Sequence, residues 1–187
     1  MRQEHPKIKT ATPANLERIS REKLLNLSGY DIDSALVLRT RQEPNSYLAN
    51  DFFEQFKSKG INLKEDSAYV ILLNYLSLRK DLNSPHKLSF VLPNSLEVLN
   101  KAYFEAPILN SVSQQKFNSS DVDIKTGIPI ILSGKGERTL YTRNWENYEI
   151  KNSGLVGVYL NRDSSLFAWD VDRVDFNGNG LVVFVRY

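Results

Sequence analysis

Gly154-Leu155-Val156-Gly157-Val158-Tyr159-Leu160 is the stretch on which the fold turns. Leu155 to Leu160 is rich in β-branched, aromatic and aliphatic residues, which suit a pleated backbone. The run predicts a strand, and the sequence around it extends the β reading. Upstream, Ile128-Pro129-Ile130-Ile131-Leu132 and Thr139-Leu140-Tyr141-Thr142 predict two more strands, and Gly134-Lys135-Gly136 reads as a hairpin turn. Downstream, Gly180-Leu181-Val182-Val183-Phe184-Val185 predicts a strand apolar enough for the centre of a sheet.

The first hundred residues read differently. Residues 1–12 carry Pro6 and several charges and predict a loose arm. Thr12 then caps a helix with Pro13 in its first turn. Leu16, Ile19, Leu24 and Leu27 roughly share one face of it, and Gly29 ends the segment. Ala35-Leu36-Val37-Leu38 predicts a short strand. Leu48, Phe52, Phe53 and Phe56 have helical spacing within Tyr47 to Lys59, which Gly60 stops. Tyr69, Leu72, Leu73 and Leu76 predict a second strong helix from about Lys64 to Lys80. Its charges suit the helix dipole, with Asp66 in the first turn and Arg79 and Lys80 in the last. Leu88 to Leu92 predicts a strand, and Leu96, Leu99 and Tyr103 a short helix after Pro93-Asn94-Ser95. Residues 107–127 read as a polar connector. Helices early and strands late argue for an α+β fold. The organisation expected is an arm and helix over 1–33 and one domain over 34–187, with the ligand-binding region at about 140–187.

Composition narrows the function. The 187 residues suffice for one real core, and 41% hydrophobic and 25% charged residues are ordinary for a globular protein. A net charge of +2 without a basic stripe argues against a nucleic-acid partner. There are no cysteines, so disulfides, thiolate chemistry and cysteine-ligated zinc are excluded. The polar start from Met1 to Thr12 does not read as a signal peptide, and no apolar run reaches membrane-spanning length. A soluble protein made in the cytoplasm, without membrane insertion, is the expectation.

Catalytic signals are sparse. His5 and His86 are the only histidines; His5 lies in the arm, and His86 follows Pro85 in a turn. A serine triad would have to use His86, and a solvated turn histidine is the simpler reading. Asp121/Asp123 and Asp170/Asp172 are carboxylate pairs, which read first as solvated loop charges. Asp175-Phe176-Asn177-Gly178-Asn179-Gly180 has the start of a calcium-loop spacing. Its twelfth position is Arg186, however, where a bidentate carboxylate is needed. A turn at Asn177-Gly178 or Asn179-Gly180 explains it better. No cofactor is implied.

The most informative tract is Asn161 to Gly180. Asp163, Asp170, Asp172 and Asp175 alternate there with Asn161, Asn177 and Asn179, and Phe167, Trp169 and Phe176 are interleaved. Such turns present aromatic rings as rigid contact area at low entropic cost. The bland alternative is a polar loop whose rings enter the core. The sharper reading is an exposed patch of Asn144, Tyr159, Asn161, Asp163, Phe167, Trp169, Asp170, Asp172, Asp175, Phe176 and Asn177. In it, aromatics anchor a protein or other macromolecular ligand and Asp and Asn groups orient it. Its rivals are a metal-assisted hydrolase using the Asp pairs and a purely structural domain.

Two sets of segments resemble a known family. Phe90-Val91-Leu92-Pro93-Asn94-Ser95-Leu96-Glu97 is similar to the strand-to-helix segment of formylglycine-generating-enzyme-type C-type-lectin domains, and Asp66 to Lys80 to the helix before it. Leu140 to Arg143, Gly154 to Leu160 and Asn179 to Val185 resemble the variable region of diversity-generating-retroelement target proteins, with Leu181 where the family usually has Arg. The resemblance spans roughly residues 34–187 in patches. It implies a C-type-lectin-like fold, helices packed around short antiparallel sheets, that displays a diversified ligand-binding surface. Trp169 lies outside the residue set that adenine mutagenesis of Asn codons produces, which suits a fixed framework position. The copper enzymes of the family need active-site cysteines, so their activity is not implied here.

Overall fold

In the computed structural model the described residues are 8–26, 32–40, 47–84, 87–110, 114–141, 154–160, 166–170 and 184–186. In chain order they form β1 (Ile8–Thr10), α1 (Pro13–Arg21), β2 (Ile32–Arg39) and α2 (Tyr47–Ser58). Then come β3 (Ala68–Leu72), β4 (Ser77–Lys80), β5 (Leu88–Val91), α3 (Leu96–Ala102) and β6 (Tyr103–Glu105). The chain continues through β7 (Gln114–Phe117), β8 (Arg138–Tyr141), β9 (Leu155–Leu160), β10 (Leu166–Asp170) and β11 (Phe184–Arg186). Helices combine with mostly antiparallel sheets, so the fold is α+β. The order is interleaved, however, and not helices first and strands later.

One seven-stranded sheet, ordered β6-β3-β2-β9-β10-β8-β7, organises the molecule. Its neighbours are antiparallel except for the parallel pair β8 and β10. Both faces of its middle are buried, so Ala35 to Leu38 of β2 and Ala68 to Leu72 of β3 read as continuous apolar runs without alternation. Ala35, Val37, Val70, Val156, Val158 and Leu140 line one face, with Leu16 and Ile19 of α1, Phe117 and Ile128 in the same core. Leu36, Leu38, Ile71 and Leu155 line the other under Leu48, Phe52 and Phe56 of α2 and Leu99 of α3.

Local signals set several elements. The Thr12 side chain accepts from the Asn15 N–H and the Asn15 side chain accepts from the Thr12 N–H, a reciprocal cap that starts α1. Gly60 follows α2 with a φ of 74°, a left-handed conformation that favours glycine. Gly127, also at φ 74°, lies against the start of α1, where an added Cβ would sit 2.2 Å from the Pro13 carbonyl carbon.

The structure corrects other expectations. The helix expected over Lys64 to Lys80 is strand β3, a short 3-10 turn at Leu73–Tyr75, and strand β4. Ala68 to Leu72 are all buried, and a strand covered on both faces carries apolar residues at every spacing, the helical one included. The strand expected at 128–132 is one isolated bridge, Val122 to Pro129, with Ile130 and Ile131 exposed; Pro129 has no N–H to give a ladder. The polar connector contains edge strand β7. The arm contains β1, which pairs antiparallel with β11. Consequently β11 belongs to a two-stranded sheet and is not a central strand. α1 ends at Arg21, and Leu24 beyond it is exposed.

Candidate functional site

β9 and β10 form an antiparallel pair inside the main sheet, so the core of the aromatic tract is an interior strand and not a loop. The register places Phe167 opposite Tyr159, Trp169 opposite Gly157, and Asp170 opposite Val156. On its other side β10 runs parallel to β8, with Phe167 beside Tyr141, and β7 continues the row with Gln114 beside Tyr141. One line of residues therefore crosses four strands: Tyr159, Phe167, Tyr141, Gln114. Trp169 is two residues along β10 from this line, next to a position that Gly157 leaves without a side chain.

These positions share the strand parity of Leu155, which belongs to the core under α2. Of the row, Tyr141 on β8 is half-buried and Gln114 on β7 is exposed. Lys116 occupies the next position of that parity on β7 and donates from Nζ to Thr139 Oγ1 at 2.7 Å. Asp170, by contrast, falls on the opposite parity, together with Val156.

Of the expected site residues, Tyr159, Phe167, Trp169 and Asp170 lie on described strands. Asn144, Asn161, Asp163, Asp172, Asp175, Phe176 and Asn177 lie outside the described residues, as does the 175–180 segment with its calcium-like spacing. The strand directions give the points of attachment. Leu160 of β9 and Leu166 of β10 end their strands on one side of the sheet, and Tyr141 of β8 and Asp170 of β10 on the other. Tyr141 and Gln114 were missed as site residues in the sequence. Tyr141 was legible as part of a strand, but only the pairing of β8 with β10 brings it to Phe167.

Several described polar clusters brace the fold. Arg138 makes a bidentate pair with Glu17, at 2.8 and 2.5 Å, and its guanidinium lies 4.7 Å from the centre of the Phe117 ring. Both side chains are nearly buried, so the pair clamps α1 to β8. A cleft of about 260 Å³ beside it is lined by Glu17, Arg18, Arg21, Ser119, Val122 and Ile124. Asp121 accepts from the Asn118 N–H and Asp123 from the Lys125 N–H, so this carboxylate pair closes turns. Lys64 bonds Glu105 at 2.7 Å and holds its carboxyl below the ordinary value, against the opposing effect of burial and with help from the Ser67 hydroxyl. Burial pushes the Tyr103 phenol up, and neighbouring Tyr69 adds to the shift. Among the described residues, no group of three or more His, Cys, Asp and Glu is placed to hold a metal ion, and no helix is long and apolar enough to cross a membrane. No protein-family model, curated protein or solved structure matches the chain.

Proposed function

We propose that this chain is a non-catalytic ligand-binding protein whose recognition surface is centred on β9 and β10, with a protein as its ligand. The observation that carries the reading is the cross-strand row of Tyr159, Phe167 and Tyr141, with Trp169 beside Gly157. Aromatic residues gathered on neighbouring strands offer large contact area with few rotatable bonds, and their backbones are held by ladder hydrogen bonds on both sides. The Asn and Asp residues on the adjoining connections then supply orienting hydrogen bonds. The scaffold reading that accompanies it is a C-type-lectin-like domain displaying a variable surface. That part rests on the C-terminal segments, because the segment matched to the family's helix is strand β3.

The test is thermal. Separate Phe167→Ala and Phe176→Ala variants are expected to move the melting temperature by less than about 4 °C, which corresponds to roughly 1 kcal/mol in a chain of this size. A fall matching the ~3–5 kcal/mol of a core phenylalanine removes them from a binding surface. The family reading has its own check. A near-identical, non-coding copy of the 3′ end beside a reverse-transcriptase gene supports diversification, and the lack of both withdraws it.

A further inference from the structure

We infer that the outer edge of β4 is a docking edge for an extended acidic–apolar segment of a partner protein. β4 and β5 form a two-stranded sheet apart from the main one. Its two outer edges are treated differently. The edge of β5 is closed by α2: the Gln55 side-chain amide donates to the Phe90 carbonyl at 2.8 Å, and its oxygen accepts from the Leu92 N–H at 2.9 Å. Those are the two backbone groups that a neighbouring strand would take. Among the described residues no strand or side-chain amide covers the edge of β4 in this way, and all four of its residues are exposed.

The register says which groups this edge offers. In an antiparallel ladder, directly opposed residues either bond each other or both turn their N–H and C=O outward. Phe90 turns outward to Gln55, and Leu78 is its partner, so Leu78 turns outward too. By the same alternation Lys80, opposite Leu88, presents its N–H and C=O. The edge thus offers two donors and two acceptors at the spacing a third strand needs.

The side chains select the occupant. Leu78, Lys80 and Leu88 share one face of the hairpin, and Leu78 and Leu88 are 63% and 47% exposed, with Leu82 at the tip 65% exposed. Among the described residues Lys80 has no carboxylate partner, whereas Arg79 on the alternate parity is held by Asp51 at 2.5 Å. Asp81, the acid nearest the edge in sequence, accepts from the Tyr47 hydroxyl and the Asn83 N–H. A strand with an apolar residue opposite Leu78 and a carboxylate opposite Lys80 matches both. A second copy of β4 does not, because antiparallel self-pairing sets Lys80 against Leu78 and supplies no acid. This inference does not depend on the aromatic row of the main sheet.

The experiment uses the full chain and a fluorescein-labelled pentapeptide that alternates threonine with valine and glutamate, read by fluorescence anisotropy. Saturable binding is expected, weakened at least about tenfold, a change of ~1.4 kcal/mol, by Lys80→Glu. Leu78→Pro deletes an outward N–H and leaves the β4–β5 ladder intact, so it is expected to abolish binding while the hairpin persists. N-methylation of the peptide's edge-facing amides makes the same test without touching the protein. Absence of saturable binding, equal binding by the N-methylated peptide, or equal binding by Lys80→Glu overturns the inference. So does a concentration-dependent dimer in sedimentation that Leu78→Pro dissolves, which assigns the edge to a second copy.

Discussion

The two halves of the main sheet differ in what lies on the same parity of their strands. Across β3 and β2 that parity carries Ile71, Leu36 and Leu38, packed under Phe52 and Phe56 of α2. Across β10, β8 and β7 it carries Phe167, Trp169, Tyr141, Thr139, Lys116 and Gln114. The same backbone ladder thus joins an aliphatic half beneath helices to an aromatic and polar half that reaches an exposed edge. Apolar burial is the main term that holds such a fold together, and the described core clusters hold the aliphatic half. Under the proposed reading, the aliphatic half supplies rigidity and the aromatic half supplies the recognition chemistry.

The largest expected effect attacks the covered half. Phe56 is fully buried and packs edge-on to Tyr103 at 5.0 Å, so Phe56→Ala is expected to cost ~3–5 kcal/mol in urea unfolding. A cost no greater than that of Phe167→Ala erases the contrast between the halves.

Arg138→Met comes next, because it strands Glu17 beside β8. A broken buried pair costs ~3–5 kcal/mol, and the low end is expected since Glu17 keeps some contact with water. Adding Glu17→Leu is expected to recover part of the loss, which a chemical-denaturation cycle measures. No recovery means that Arg138 acts through contacts other than the Glu17 pair, among them its packing on Phe117.

The smallest effect is a pH dependence at the end of β6. Lys64 holds the Glu105 carboxyl below its ordinary value. A depressed carboxyl contributes stability above its unfolded value, and the contribution fades as pH falls through the folded value. Lys64→Met is therefore expected to flatten the acid limb of the stability curve below the ordinary glutamate value of about 4.3. The pair is solvent-exposed, so the change is small, and unchanged urea midpoints across the acid range would show that it contributes nothing.

Local signals were legible where one segment settles its own state. Thr12, Pro13 and Asn15 start α1 through bonds within four residues, Gly60 stops α2, and the pattern of Leu155 to Leu160 gave β9 its full extent. The segment at 64–80 misled because burial on both faces removes the alternation that distinguishes a strand from a helix. The aromatic tract was visible as composition, but its reading as a loop missed that Leu166 to Asp170 is an interior strand.

The amino-acid sequence by itself determined the α+β class, the caps and stops, most of the helices, and the concentration of aromatic, Asn and Asp residues near the C-terminus. Tertiary structure alone decided which strands are neighbours, that β8 and β10 run parallel, and that Tyr141 stands beside Phe167. It also decided that Gln55 closes one edge of a hairpin, while among the described residues nothing pairs with the other. The reason is physical: caps and turns are set by bonds within a few residues, whereas strand register is chosen by the burial that pairing achieves between segments far apart in the chain.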